Sequence, residues 1–239
     1  MNAAELERRL LYRDGLMLVI DKPAGLPVHA GPGGGDNLER HFAWLRFGLP
    51  RPPGLAHRLD RDTAGCLVLG RHPKALRKLG KLFQEGKVEK TYWAVARKAP
   101  AQAEGRVDAP LKKVSTKSGG WHMVVAADGQ HAVTDYRVLG TAADGTCWIE
   151  CHPRTGRTHQ IRVHLASLGA TLLGDTQYGD PAREKGTVLH LQSRAVTLPL
   201  YPSRAPVSVT AEPPPHMRAA LTACGWPGPA SAPAMATAT

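Results

Sequence analysis

Short apolar or β-branched runs cut off by turn residues recur along this chain far more often than helical spacing does. Leu16–Ile20 (LMLVI) is the clearest, stopped at once by Asp21-Lys22-Pro23-Ala24-Gly25, as a buried strand would be. Cys66–Leu69, Val88–Arg97, Val107–Pro110, Met123–Val125, His131–Leu139, Thr146–Cys151, Val188–Ser193 and Val207–Thr210 carry strand-forming residues between similar stops. Helical spacing is found in three stretches. Leu38–Leu45 is short. A second stretch starts at Pro73 and repeats Leu76, Leu79, Leu82 and Phe83, with Lys74, Arg77, Lys78 and Lys81 facing out. The third runs from about Thr158 to Leu168 with Ile161, Leu165 and Leu168 as its stripe and Gly169 as its stop. Many strands with few interspersed helices predict an α+β fold around a largely antiparallel sheet. The length of 239 residues fits one large domain or two small ones, and no internal repeat divides it. The Pro/Ala/Thr-rich end, 225–239, is expected to be a disordered tail, leaving 1–224 as the folded domain.

Charge narrows the partners. The chain carries a formal net charge of +11, with its basic residues concentrated between Arg71 and Lys98 and again at Lys112, Lys113 and Lys117. Such a surface attracts a polyanion through phosphate contacts and counterion release, although a plain solvated basic face fits the same composition. Membrane partners are not expected: there is no amphipathic basic helix and no apolar stretch of bilayer length. Met1–Leu10 lacks the apolar run of an export signal, so a cytoplasmic location is expected. Cys66, Cys147, Cys151 and Cys224 form no pair of metal-ligand pairs and read as small buried hydrophobes. Gly31–Gly35 lacks the Lys-Ser/Thr that would make it a phosphate-binding loop. No dinucleotide fingerprint or metal cluster is present either, and no cofactor is expected.

Two stretches concentrate chemistry. His57-Arg58-Leu59-Asp60-Arg61-Asp62-Thr63-Ala64-Gly65 crowds polar groups just before a buried strand. Rigid scaffolds present functional groups in that way, and a salt-bridged turn would look the same. Arg154–Leu165 (RTGRTHQIRVHL) puts Thr158 and Arg162 on one helical face, while His159 and His164, five apart, do not share a face as metal ligands would.

HRLDRDTAG resembles the HRLDxxTSG signature of the RluA family of pseudouridine synthases. Lys90-x-Tyr92 in VEKTYWAVA resembles that family's KxY motif, RTGRTHQIRVHL its arginine motif and LLGDTQYG (Leu172–Gly179) its GDxxYG segment. DKPAGLPVH at Asp21–His29 is similar too, so the likeness spans roughly residues 11–210. Carried to the matching positions, it implies Asp60 as the catalytic aspartate, Tyr92 as the tyrosine against the target base and Arg162 as the arginine paired with the aspartate. It sets Arg58 beside the flipped nucleotide and puts Arg61, Lys90, Arg157 and His159 among residues that meet RNA. Asp62 and His57 are assigned to loop structure. Ala64 stands where the family more often has Ser.

The resemblance implies one catalytic domain around a long, bent, mostly antiparallel sheet with flanking helices and a central basic cleft. It implies no cofactor and no metal, with ribosomal or transfer RNA stem-loops, or both, as substrate; the S4 domain that many members carry is not expected, because the catalytic motifs begin almost at once. No obligate protein partner is expected, and the chain is expected to act as a monomer. Two rival readings stay open. An N-glycosylase using Asp60 and Asp62 as a carboxylate pair would release free uracil, and a non-catalytic RNA-binding protein would keep the fold without turnover.

Overall fold

The computed structural model describes residues 1–31, 34–115 and 120–229. Lys117 and most of the expected tail therefore lie outside the described residues. In chain order the elements are α1 (Ala3–Arg8), β1 (Leu10–Arg13), β2 (Met17–Lys22), a 3₁₀ helix (Leu38–Leu45), β3 (Gly54–Leu55), β4 (Ala64–Gly70) and α2 (Pro73–Gln84). Then come β5 (Glu89–Ala96), β6 (Glu104–Asp108), β7 (Leu111–Ser115), β8 (Trp121–Val125), β9 (Val133–Thr141), β10 (Cys147–Pro153), α3 (Gln160–Ser167) and α4 (Pro181–Glu184). β11 (Leu191–Leu198), β12 (Val207–Thr210) and α5 (Pro215–Ala223) close the chain.

These elements form two compact units. The first is mainly Met1–Val88 with Ser193–Pro214, and the second is Glu89–Gln192 with Pro215–Trp226. In the first, the strand order is β1-β2-β4-β11, with β3 added to β4 and β12 to β11. β1–β2, β2–β4 and β11–β12 run antiparallel. β4 (AGCLVLG) is buried along its whole length, as its unbroken small and apolar sequence requires. Its Cys66 and Val68 join Met17, Val19, Leu79 and Val196 in the core. α2 starts where Pro73 can occupy the first turn, and the His72 ring accepts the Ala75 N–H at 3.2 Å. Ala75 and Leu79 turn inward while Lys74, Arg77, Lys78 and Lys81 stay exposed, as the spacing predicted.

In the second unit the order is β5-β10-β9-β6, antiparallel at β5–β10, β10–β9 and β6–β9. β7 and β8 form a separate antiparallel hairpin. Ala94, Ile149, Ile161, Leu165, Leu172 and Leu191 fill the core. Antiparallel strands with few helices give both units the expected α+β character.

Two boundaries differ from the sequence reading. α3 begins at Gln160 rather than Thr158, because His159 takes a left-handed backbone (φ 53) that no α-helix can continue through. Thr158 is thus outside the helix and does not share a helical face with Arg162. α5 was not expected: its Met217 and Leu221 pack with Val95, Trp148 and Trp226, so Trp226 belongs to the core and not to the tail. Gly140 lets α5 come close, since a Cβ there would lie 1.8 Å from the Cys224 carbonyl oxygen. Among the described residues no helix is long and apolar enough to cross a membrane.

Candidate active site

In the first unit β2 and β4 pair with Lys22 opposite Gly65. The segment leaving β2 and the one entering β4 therefore emerge at the same end of the strands. Lys22 is fully buried, and its Nζ donates at 2.8 Å to the carbonyls of Pro23, Leu26 and Arg61. One ammonium thus ties the Pro23–Leu26 turn to the loop that carries Asp60. Arg61 returns the link, its Nε donating to the Gly25 carbonyl at 3.2 Å. His57 holds the other end of the loop. Its Nε2 accepts the Val68 N–H at 3.0 Å, and its ring stacks on Phe83 of α2 at 4.4 Å. Leu59 and Thr63 are buried, and the Thr63 N–H donates to the Asp60 carbonyl. Asp60 itself is half-buried, with its backbone fixed on both sides. Arg58 is exposed, its Nη1 3.5 Å from His29 Nε2. Ala64 is buried within β4, where a serine hydroxyl would need a partner of its own.

Burial pushes the Lys22 pKa down to about 8, against the pull of Asp62, Asp60 and Asp21. The ordinary unfolded value is about 10.4. Between these values unfolding takes up a proton, so this group's contribution to stability rises with pH across that window. Lys22→Met is expected to cost roughly 2–4 kcal/mol in urea unfolding, because three carbonyls lose a donor while the desolvation of one charge is relieved. The deficit should widen from pH 8 to pH 10, since only the wild type gains there. A variant that unfolds at the wild-type midpoint would remove Lys22 from the loop's support.

In the second unit Tyr92 is half-buried on β5, opposite Cys151 of β10. It packs on the same core that Ile161 and Leu165 of α3 enter. Lys90 is partly buried and donates to the Thr155 carbonyl at 3.0 Å, so its amine is engaged by the protein itself. Burial, with the charge of Arg154, brings its pKa down to about 8.

Arg162 is buried in α3 and makes a bidentate pair with Asp175, Nε to Oδ2 at 2.8 Å and Nη2 to Oδ1 at 2.7 Å. Its guanidinium also lies over the Tyr178 ring, 4.9 Å from the centroid. Asp175 accepts the N–H groups of Gln177 and Tyr178 as well, which fixes the turn that presents both.

The loop before α3 is organised by Gln160. Its Oε1 accepts from the Thr155 hydroxyl and the Arg157 N–H, and its Nε2 donates to the Val133 carbonyl and Thr134 Oγ1. His159 holds its left-handed backbone with Nδ1 2.8 Å from the Tyr178 hydroxyl, and its ring stacks on Trp121 of β8 at 5.2 Å. Arg157 is exposed, its Nε on the His131 carbonyl. His164 is fully buried and its Nε2 donates to the Ala109 carbonyl, so Nδ1 accepts from Thr134. Burial lowers its pKa and the ring is neutral. Among the described residues no three His, Cys, Asp or Glu side chains are grouped as metal ligands would be.

Asp60, Arg58 and Arg61 thus stand in the first unit, and Tyr92, Lys90, Arg157, His159 and Arg162 in the second. Sequence reasoning gave no role to Lys22, Asp175, Tyr178 or Gln160. A lysine closing the apolar run LMLVIDK was the available signal for the first. Asp175 and Tyr178 lay inside LLGDTQYG without an assigned partner.

Comparisons with known proteins converge. The family described as RNA pseudouridylate synthase matches residues 16–167. An uncharacterised RNA pseudouridine synthase of Zymomonas mobilis is 42% identical over 194 residues, covering 81% of this chain and 88% of its own. The ribosomal large subunit pseudouridine synthase D of the same organism is 37% identical over 182 residues, covering 73% of this chain but 57% of its own. The chain spans only 42% of the mitochondrial RNA pseudouridine synthase 3 of Arabidopsis thaliana. Among solved structures, human RNA pseudouridylate synthase domain containing 4 superimposes with a TM-score of 0.78 at 28% identity, covering 93% of this chain and 95% of that one.

Proposed function

This chain belongs to the RNA pseudouridylate synthase family, and from that premise we propose that it converts uridines of ribosomal or transfer RNA to pseudouridine with Asp60 as its catalytic carboxylate. The relative named for the ribosomal large subunit supports ribosomal RNA as a first substrate to try. One observation carries the reading of Asp60. It is half-buried on a loop whose backbone is pinned by Lys22, Arg61 and His57, and it acts on the charge of that buried lysine. A carboxylate can serve as nucleophile or as base.

In the proposed reaction the N1–C1′ bond of uridine breaks with the help of Asp60, the uracil turns, and C5 bonds to C1′. The hydrogen on C5 leaves as a proton, and N1 gains one. The target base must first leave its stack, at a cost of a few kcal/mol. Packing on the Tyr92 ring would return about 1–3 kcal/mol of that. Arg162, held flat by Asp175 and Tyr178, would offer a pre-positioned guanidinium. Arg58, exposed and near His29, would sit beside the flipped nucleotide and help hold the opened strand.

The test is tritium release from ribosomal and transfer RNA labelled at uracil C5. Release without free uracil is expected. Free uracil would indicate glycosidase chemistry, and tight binding without release would indicate an RNA-binding protein without turnover.

A further inference from the structure

We infer that the second unit carries a pocket for one unpaired nucleotide of the substrate RNA other than the target uridine, at the foot of the β7–β8 hairpin. The inference rests on the reading of the substrate as RNA. The cavity there holds about 300 Å³, the lower end of the range for sites that enclose a small ligand. That space suits a single extruded nucleotide rather than a helix.

Its walls match the three parts of a nucleotide. Leu111 and Met123, 1% and 8% exposed, make an apolar floor against which a base can lie. Gln130 and Thr158 line the same space, and an amide and a hydroxyl suit the hydrogen-bonding edge of a base or a ribose. Lys112, Lys113 and Arg157 bring three cations against one carboxylate among the lining residues, Asp128. Asp128 is paired with Lys112, which leaves Lys113 and Arg157 for a phosphate.

The site is built rather than a passing groove. Leu111 and Gln130 exchange both backbone hydrogen bonds, at 2.9 and 2.8 Å. Gly129 packs so closely that a Cβ would come 2.6 Å from the Leu111 carbonyl carbon. Arg157 is set from two sides, its N–H on Gln160 and its Nε on the His131 carbonyl. Lys113 lies over the Trp121 ring at 4.5 Å, which holds its Nζ near the hairpin instead of letting it sweep through solvent. Thr158 immediately precedes His159, whose contact with Tyr178 leads to Arg162. The pocket therefore adjoins the loop that introduces that arginine.

Three variants test the assignment: Lys113→Gln, Thr158→Val, and Lys185→Gln as a control that removes one exposed charge elsewhere. Affinity for pooled ribosomal and transfer RNA is measured by filter binding over a series of salt concentrations, and KM and turnover by tritium release. Lys113→Gln is expected to weaken binding roughly fivefold and to reduce the salt slope by about one. Thr158→Val, with no change in charge, is expected to weaken binding about threefold at an unchanged slope, from the loss of one hydrogen bond. Both should raise KM and leave turnover at saturating RNA intact, while Lys185→Gln stays within about twofold of wild type. The pocket is refuted if Lys113→Gln and Thr158→Val both bind like Lys185→Gln. Should Lys113→Gln fail to fold, Thr158→Val alone decides. Tight binding without tritium release by wild type would sink the isomerase reading and leave the pocket standing. Release with unaltered affinity in both variants would sink the pocket alone.

Discussion

Asp60→Asn is expected to bind pooled RNA within about twofold of wild type and yet to release C5 tritium at least roughly a thousandfold more slowly. The two halves of that result come from different atoms. The loop is held by the backbone and by its neighbours: the Arg61 carbonyl on Lys22, the Arg61 side chain on Gly25, the His57 ring on Val68 and Phe83, and the Asp60 carbonyl on the Thr63 N–H. None of these uses the Asp60 carboxylate. An amide of the same shape therefore leaves the loop in place and removes only the negative charge. A neutral amide is neither a base nor an effective nucleophile, so the chemistry should stop while recognition persists. A variant retaining more than about a tenth of the wild-type rate would take Asp60 out of the reaction and leave the carboxylate role unassigned.

Asp175→Leu is expected to lower the free energy of unfolding by about 3–5 kcal/mol, the usual cost of breaking a buried ion pair by removing one partner. The side chains of Arg162 and Asp175 are 8% and 1% exposed, so the guanidinium left behind has little water to turn to. The Gln177 and Tyr178 N–H groups lose their acceptor in the same substitution. Combining it with Arg162→Met should recover a good part of the loss, because the stranded charge is then gone. A double variant as unstable as the sum of the singles would mean that the pair is not the source. Urea unfolding of the three proteins decides the matter.

The sequence made the local features of the site legible and left its pairings obscure. HRLDRDTAG stands out because polar groups crowd before an apolar strand, and Pro73 and Gly169 punctuate their helices by backbone chemistry that any sequence shows. The burial of Lys22 and the pairing of Arg162 with Asp175 depend on which segments meet in space. The resemblance marked Arg162 as an arginine with a carboxylate partner, but spacing alone could not point to Asp175. α5 escaped because MRAALTA has no broad apolar stripe; what places it is the bare backbone at Gly140 and the indoles of Trp148 and Trp226. His159 looked like the first turn of a helix, and contacts with Tyr178 and Trp121 accompany its left-handed conformation. Lys90 was set among the residues that meet RNA, and sequence alone cannot reveal the Thr155 carbonyl its amine reaches.

The interrupted first unit has a consequence for synthesis on the ribosome. β4 is neighbour to β11, and the Cys66 thiol meets the Arg194 carbonyl across 128 positions of chain. Until that later strand has been translated, the two-residue β3 covers that edge of the buried β4 at Leu69 and Gly70, and the rest of the edge, nearer the Asp60 loop, stands open. A nascent chain stalled within the second unit would expose an edge that invites pairing with other chains. Translation that slows before Ser193 should therefore raise the demand for chaperones, and a gene split between the two units would yield a first fragment that cannot complete its own sheet.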